Sequence, residues 1–175
     1  DEPFSPSDLA IGAQGSFYAR VVDTNPKLMQ KIFIEAEGHR GTSLIEILQN
    51  CVIFNDKTFA PITAKEVKQD AQLFLEDGEP MLFGTELNKG IILNGFKLEV
   101  VTIGENGVSE KDILVHDTKE QDPTLHQMLV RLEYPMVTGV IRSYDDVTLE
   151  EREDTLTAEV KRNSKFHKTD DLFFS

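Results

Sequence analysis

Cys51 is the only cysteine among the 175 residues, and its thiolate is the chain's one soft-metal ligand or thiol nucleophile. A single cysteine excludes an intramolecular disulfide and any metal site built from this chain's thiolates alone. Cys51 follows the apolar run Ser43-Leu44-Ile45-Glu46-Ile47-Leu48, which reads as a parallel strand. It therefore falls at the carboxyl edge where open α/β sheets gather their ligands. The bland alternative is a small packed hydrophobe. Of the four histidines, His39 lies with Arg40 at a helix-to-strand junction, where a helix C-terminus favours positive charge, and reads as a cap. His116-Asp117 ends a short strand with no nucleophile or metal partner nearby in sequence, and reads as a local hydrogen bond whose role stays open. His126, on a helix face, and His167, in a polar tail, read as surface residues. The acidic run from Asp145-Asp146 to Glu150-Glu151 reads as a solvated face.

No nucleotide or hydrolase fingerprint accompanies these residues: there is no G-x-G-x-x-G after a strand, no P-loop and no nucleophile elbow. Gly104-Glu105-Asn106-Gly107 has the chemistry of a turn. Catalytic and cofactor-binding residues are accordingly left unassigned. Lys plus Arg is 18 against 31 Asp plus Glu, a formal charge of −13. Such a surface repels nucleic acid and anionic headgroups and suits a basic partner. A 39% hydrophobic fraction with 11 Phe is globular composition. With one cysteine, no apolar run long enough to span a bilayer and no basic stretch leading into an apolar segment, the expectation is a soluble cytoplasmic chain without signal peptide. The acidic, proline-punctuated opening Asp1-Glu2-Pro3-Phe4-Ser5-Pro6, without Met, reads as a truncation.

The elements that must position Cys51 are legible. Ser7 is the expected cap of a short helix through Leu9, Ala10 and Ile11, broken by Gly12 and Gly15 before a strand over Phe17 to Val22. Asn25 and Pro26 suit the N-cap and first position of a helix with Leu28, Met29, Ile32, Phe33 and Ala36 at helical spacing, ended by Gly38 and Gly41. With the strand over Ser43 to Leu48, apolar as if covered on both faces, this is a right-handed parallel βαβ unit. Val52-Ile53-Phe54-Asn55-Asp56-Lys57 then leads into a loop.

Beyond it, Thr63 and Glu66 predict a capping box for a helix carrying Val67, Ala71 and Phe74. Antiparallel strands are expected at Met81 to Phe83, Gly90 to Leu93 and Phe96 to Ile103, with Asn94-Gly95 as a two-residue hairpin turn. A short strand at Ile113 to Val115, a helix from Asp122-Pro123 to Leu132, a strand over Val137 to Ile141 and a capping box at Thr148 and Glu151 complete the pattern. The tail from Arg162 is polar until Leu172-Phe173-Phe174.

The ordered segments Ala10 to Arg20 (AIGAQGSFYAR), His39 to Ile47 (HRGTSLIEI) and Gln49 to Asp56 (QNCVIFND) resemble the beta subunit of 2-oxoacid:ferredoxin oxidoreductases, most nearly the 2-oxoglutarate type. The resemblance is specific over Leu9 to Lys57. It is looser further on, at Gly84, Lys89-Gly90, Leu114-Val115-His116-Asp117 and Gly139-Val140-Ile141-Arg142. It implies an enzyme that uses thiamine diphosphate and magnesium to decarboxylate a 2-oxoacid oxidatively. Electrons leave through a [4Fe–4S] cluster to ferredoxin, coenzyme A takes the acyl group, and an alpha subunit is the partner. It also implies that Cys51 is the fourth cluster ligand, the other three lying in an N-terminal segment missing here. The family's diphosphate-binding Gly-Asp-Gly motif, with its later Asn, does not occur in this sequence.

The resulting expectation is an α/β chain: 1–59 as the end of a thiamine-diphosphate-binding, Rossmann-like parallel βαβ domain, 60–145 as a small α+β lobe, and 146–175 as a C-terminal helix and arm. As isolated it is expected to hold neither thiamine diphosphate with magnesium nor an intact cluster, and to be inactive. The rival class is a non-enzymatic acidic interaction module.

Overall fold

The computed structural model describes residues 4–165; His167 and the Leu172-Phe173-Phe174 tail lie outside the described residues. Helix α1 (Pro6–Gly12) is capped by Ser5, whose hydroxyl accepts from the Asp8 N–H at 3.2 Å. Ser7, expected in that role, is instead buried and accepts a hydrogen bond from Arg20 Nη2. β1 (Phe17–Val22), α2 (Pro26–Gly38) and β2 (Ser43–Leu48) form the expected βαβ unit, with Asn25 Oδ1 accepting from the Leu28 N–H at 3.2 Å. β1 and β2 are parallel and in register from Phe17 opposite Ser43 to Val22 opposite Leu48.

The segment after the Cys51 loop departs from expectation. Two one-turn helices, α3 (Ala60–Thr63) and α4 (Lys68–Ala71), stand where one helix was predicted, and Phe74 belongs to a strand, β3 (Gln72–Leu75). The Thr63 hydroxyl donates back to the Phe59 carbonyl at 2.8 Å, closing the turn before it rather than capping a helix after it. Leu73 and Leu75 are buried while Phe74 is exposed, a two-residue period that only a strand satisfies.

β4 (Leu82–Phe83), β5 (Lys89–Asn94) and β6 (Lys97–Thr102) make a three-stranded antiparallel sheet. Asn94 pairs with Lys97, so the hairpin loop is Gly95-Phe96, one residue later than predicted, with Gly95 at φ +61°. No strand forms at Ile113 to Val115; a 3-10 turn (Glu110–Asp112) precedes it and Val115 makes one isolated bridge to Pro80. α5 (Thr124–Val130), β7 (Met136–Ser143) and α6 (Leu149–Asn163), with its Thr148 and Glu151 capping box, follow the sequence.

The larger sheet has the order β2-β1-β7-β3 and is mixed: β7 runs antiparallel to β1 and parallel to β3. The segments 1–59 and 60–145 therefore both contribute strands to it. A purely parallel sheet covered on both faces is not what the chain builds, and β2 is a partly exposed edge strand. β7 can lie between its neighbours because of Gly139, at φ +107°, where a Cβ would sit 2.7 Å from the Leu75 carbonyl oxygen. A bulge beside it takes up the register shift between Tyr18 opposite Arg142 and Ala19 opposite Val140.

Alternation along β1 divides the core. Phe17, Ala19 and Val21 pack with Leu28 and Ile32 of α2. Tyr18 faces the other way, into a larger cluster with Leu73, Leu75, Val137, Ile141, Leu129 of α5, and Met81, Phe83 and Ile91 from the small sheet.

Candidate metal centre

Cys51 lies three residues past the end of β2 on a loop bonded largely to itself. The Asn50 N–H donates to Asp23 Oδ2 at 3.0 Å, which ties the loop to the carboxyl end of β1. Asn50 Oδ1 accepts from the Lys57 N–H at 2.7 Å, and its Nδ2 donates to Asp56 Oδ1 at 3.0 Å, so one side chain bridges the loop's start and end. The Asn55 N–H donates to the Cys51 carbonyl at 3.0 Å. This frame holds the thiol in solvent rather than in a core. The backbone N–H groups of Phe54 and then Ile53, with a smaller contribution from Asn55, hold the thiol below its ordinary value against a slight opposing effect of burial. A thiolate here is exposed and favoured, as metal ligation requires.

The neighbours of Cys51 turn outward too. Val52, Ile53 and Phe54 are 74%, 82% and 90% exposed. Sequence reading passed over these three as the start of a loop; the signal was a consecutive apolar triplet with no periodicity to bury it.

The other sequence candidates do not join Cys51. His39 caps α2, with Nδ1 against Ser43 Oγ and Nε2 against the Tyr144 carbonyl, both at 3.0 Å. His116 is buried, its Nε2 at 2.9 Å from the Val140 carbonyl, and its Nδ1 has no hydrogen-bond partner. Asp117 accepts from the Lys119 N–H through Oδ1 at 2.8 Å.

His126 is not a surface residue: it is fully buried, its ring 6.1 Å from that of His116. It is buried because α5 lies against β7 and presents this face to Arg142, an orientation that helical spacing alone does not reveal. Arg142 Nη1 donates to His126 Nδ1 at 2.9 Å, which leaves the proton on Nε2, 2.9 Å from the Asp117 carbonyl. Burial holds both imidazoles below their ordinary value; for His126 the Arg142 charge adds to the effect. In the acidic run, Asp146 pairs with Arg152 at 2.8 Å and Glu151 with Arg40, both pairs at the surface.

A second polar group, partly buried, escaped sequence reading. Glu46, in the middle of β2, accepts from Arg20 Nε at 2.6 Å and from the Tyr18 hydroxyl. Arg20 also reaches Ser7 Oγ and the Val130 carbonyl. Burial pushes the Tyr18 hydroxyl up. The one signal was a carboxylate interrupting an apolar strand directly opposite an arginine.

Among the described residues, no three His, Cys, Asp or Glu side chains converge where they could hold a metal ion. Cys51 can thus supply one ligand to a cluster and cannot hold one alone. A cleft of about 440 Å³ between α2 and β3 is charged, but its lysines are paired: Lys31 with Glu35 and Glu76, Lys119 with Asp77. No helix among the described residues is long and apolar enough to cross a membrane.

No family model matches the chain, and no solved structure matches it. Its sequence nevertheless assigns a class: the chain is a relative of the beta subunits of 2-oxoacid:ferredoxin oxidoreductases. The relative that shows this is 2-oxoglutarate oxidoreductase subunit KorB of Mycobacterium tuberculosis (strain ATCC 25618 / H37Rv), 35% identical over 155 residues. The match covers 83% of this chain and 41% of that subunit, so the chain spans well under half of its relative's length.

Proposed function

We propose that this chain is part of the beta subunit of a cytoplasmic 2-oxoacid:ferredoxin oxidoreductase and that Cys51 supplies one thiolate to its [4Fe–4S] cluster. The supporting observation is an exposed thiol, favoured as thiolate, on a self-bonded loop beyond the carboxyl end of a parallel strand. It occurs in a chain related over most of its length to a 2-oxoglutarate oxidoreductase subunit.

The overall reaction is the oxidative decarboxylation of a 2-oxoacid, 2-oxoglutarate by the relative's name, to acyl-coenzyme A with electrons delivered to ferredoxin. In the complete enzyme thiamine diphosphate with magnesium would supply the decarboxylation chemistry, and a cluster held in part by Cys51 would supply electron transfer. An alpha subunit completes the assembly. This chain's own contribution is to hold one sulfur at a fixed point. The parallel register sets the end of β2, Asp23 and Asn50 set the loop, and backbone N–H groups stabilise the negative sulfur. Taken alone, the chain is inactive.

The test is Cys51→Ser in the complete subunit assembled with its partners. Iron and labile sulfide content and ferredoxin reduction should fall while thiamine diphosphate binding stays near wild type. Wild-type cluster content and electron transfer in that variant would sink the reading.

A further inference from the structure

Helix α2 has two apolar faces, and the sheet takes only one of them. Leu28 and Ile32 are buried against Phe17, Ala19 and Val21 of β1, with Met29 and Ala36 packed at the margin. The opposite face carries Pro26, Gln30, Phe33 and Glu37, with Ile34 beside them. Steps of four, three and four residues keep these side chains on one side of a helix. Phe33 is 44% and Ile34 64% exposed, and neither belongs to a hydrophobic core. With Met29 they line an open groove of about 400 Å³. The outer face of an ordinary surface helix is polar instead.

The charges on α2 show what this face fits. Lys27 and Lys31 stand in its first half, Glu35 and Glu37 in its second; the first turn holds no acid and the last no base. This reverses the order that the helix dipole favours, so the charges work against the helix that carries them. An antiparallel copy of the same helix reconciles them, because the acidic end of each then lies beside the basic end of the other. A two-fold crossing that sets Gln30 of one copy against Phe33 of the other brings Lys27 beside Glu37 at both ends, since Lys27 precedes Gln30 by three residues and Glu37 follows Phe33 by four. Lys31 is drawn toward Glu35 and Glu76 at 3.9 and 3.8 Å, whereas among the described residues Lys27 and Glu37 have no ion-pair partner.

We propose that the exposed face of α2 is a self-association surface, on which a second copy of this chain docks its own α2 antiparallel about a two-fold axis. Phe33 and Ile34 lie near the centre, and Lys27 meets Glu37 of the other copy at each end. A two-fold contact must be self-complementary, and this stripe is so in both shape and charge. The net charge of −13 on each copy opposes association. That repulsion is screened beyond ~8 Å at physiological salt, while the end contacts act at shorter range. The surface is separate from Cys51 and owes nothing to the cluster reading, so either can fail without the other.

The test is light scattering on the chain itself, from about ten micromolar to about one millimolar, for wild type, Ile34→Glu, Glu37→Lys and Lys27→Glu/Glu37→Lys. The wild-type mass should rise toward twice that of one chain. Ile34→Glu sets carboxylates into the contact and Glu37→Lys sets lysine against lysine, and each should weaken association about tenfold or more. The double variant pairs both ends again with the signs exchanged and should regain wild-type association. It also puts acid at the start of α2 and base at its end, as the dipole favours, so a loss of association in it would not come from a damaged helix. Circular dichroism should show wild-type helix content in all three variants. A wild type that stays strictly monomeric across the range overturns the proposal. Association that Ile34→Glu leaves untouched belongs to another surface and overturns it as well. A double variant as weak as Glu37→Lys would exclude the antiparallel pairing.

Discussion

At the amino-terminal end of β1, Arg142 is fully buried. It donates to the carbonyls of Gly15, Glu120 and Gln121 at 3.2, 2.7 and 2.8 Å and to His126, under the ring of Tyr144. At the other end of the same strand pair, Cys51 stands in solvent with Val52, Ile53 and Phe54 exposed around it. Both ends carry residue types that do chemistry, yet only the Arg142 end is built into the interior of the fold. The arginine and the histidine it contacts have met their needs inside the fold and act as architecture, joining the turn before β1, the segment before α5, and β7. The thiol and the apolar triplet are exposed and belong to neither hydrophobic core, so they are not architecture. Residue type proposes a site; whether its bonding capacity is already satisfied decides between structure and function.

Breaking the Arg142 end should have the largest effect. Arg142→Met removes the donors to three backbone carbonyls and to His126 at once, and should lower the unfolding free energy by about 3–5 kcal/mol. An unchanged urea midpoint would show that water replaces the guanidinium, and the contrast between the ends would lose its basis. Next comes Gly139→Ala. The backbone there is at φ +107°, and a Cβ would meet the Leu75 carbonyl oxygen at 2.7 Å, so β3 and β7 must separate. A loss of about 2–4 kcal/mol is expected. Gly12→Ala is the control: its φ is ordinary and its Cβ would have open space, so it should leave stability unchanged or slightly raised.

How much of this was readable beforehand follows from range. β1, α2 and β2 were legible to the residue because their signals are local: Asn25 and Pro26 start the helix, and apolar strands flank it. The Cys51 position followed from them. The insertion of β7 between β1 and β3 was not legible, since strand order depends on pairing between residues more than sixty apart and leaves no mark on either segment. β3 was mistaken for helix because a Thr63 to Glu66 spacing imitates a capping box, while the two-residue period of Leu73 and Leu75 is short. His126 was placed on the surface for a related reason: helical spacing shows which residues share a face but not which face is covered. The exposed triplet escaped because apolar residues in a sequence read as core until a structure shows no core beside them.

Acid should separate the two ends by a smaller margin. Burial holds His116 and His126 below the ordinary histidine value, so the unfolded chain binds protons more readily than the folded one. Stability from this pair is therefore fully present above about pH 6.5 and is lost as pH falls below it toward the folded values. Unfolding midpoints measured from about pH 7 down to about pH 5 should decline. His126→Gln keeps an acceptor for Arg142 and a donor for the Asp117 carbonyl, so it should flatten that decline. An equally steep decline in this variant would place the acid sensitivity elsewhere.

The smallest effect on stability should come at the Cys51 end, where the chemical effect is greatest. Cys51 is exposed and its side chain belongs to no core, so Cys51→Ser should leave the thermal unfolding midpoint in place. The same thiol should react in the native chain without denaturant, because the thiolate is the attacking species and the N–H groups of Phe54, Ile53 and Asn55 favour it. The labelling rate with a disulfide reagent should rise with pH and level off below the pH at which a free cysteine does. The sign follows from the lowered value: the thiolate fraction saturates earlier as protons are withdrawn. A packed cysteine would behave in the opposite way on both counts, reacting only on unfolding and costing stability when replaced. Native labelling without loss of stability would separate this end of the sheet from the Arg142 end by the two criteria that distinguish them, access and internal satisfaction.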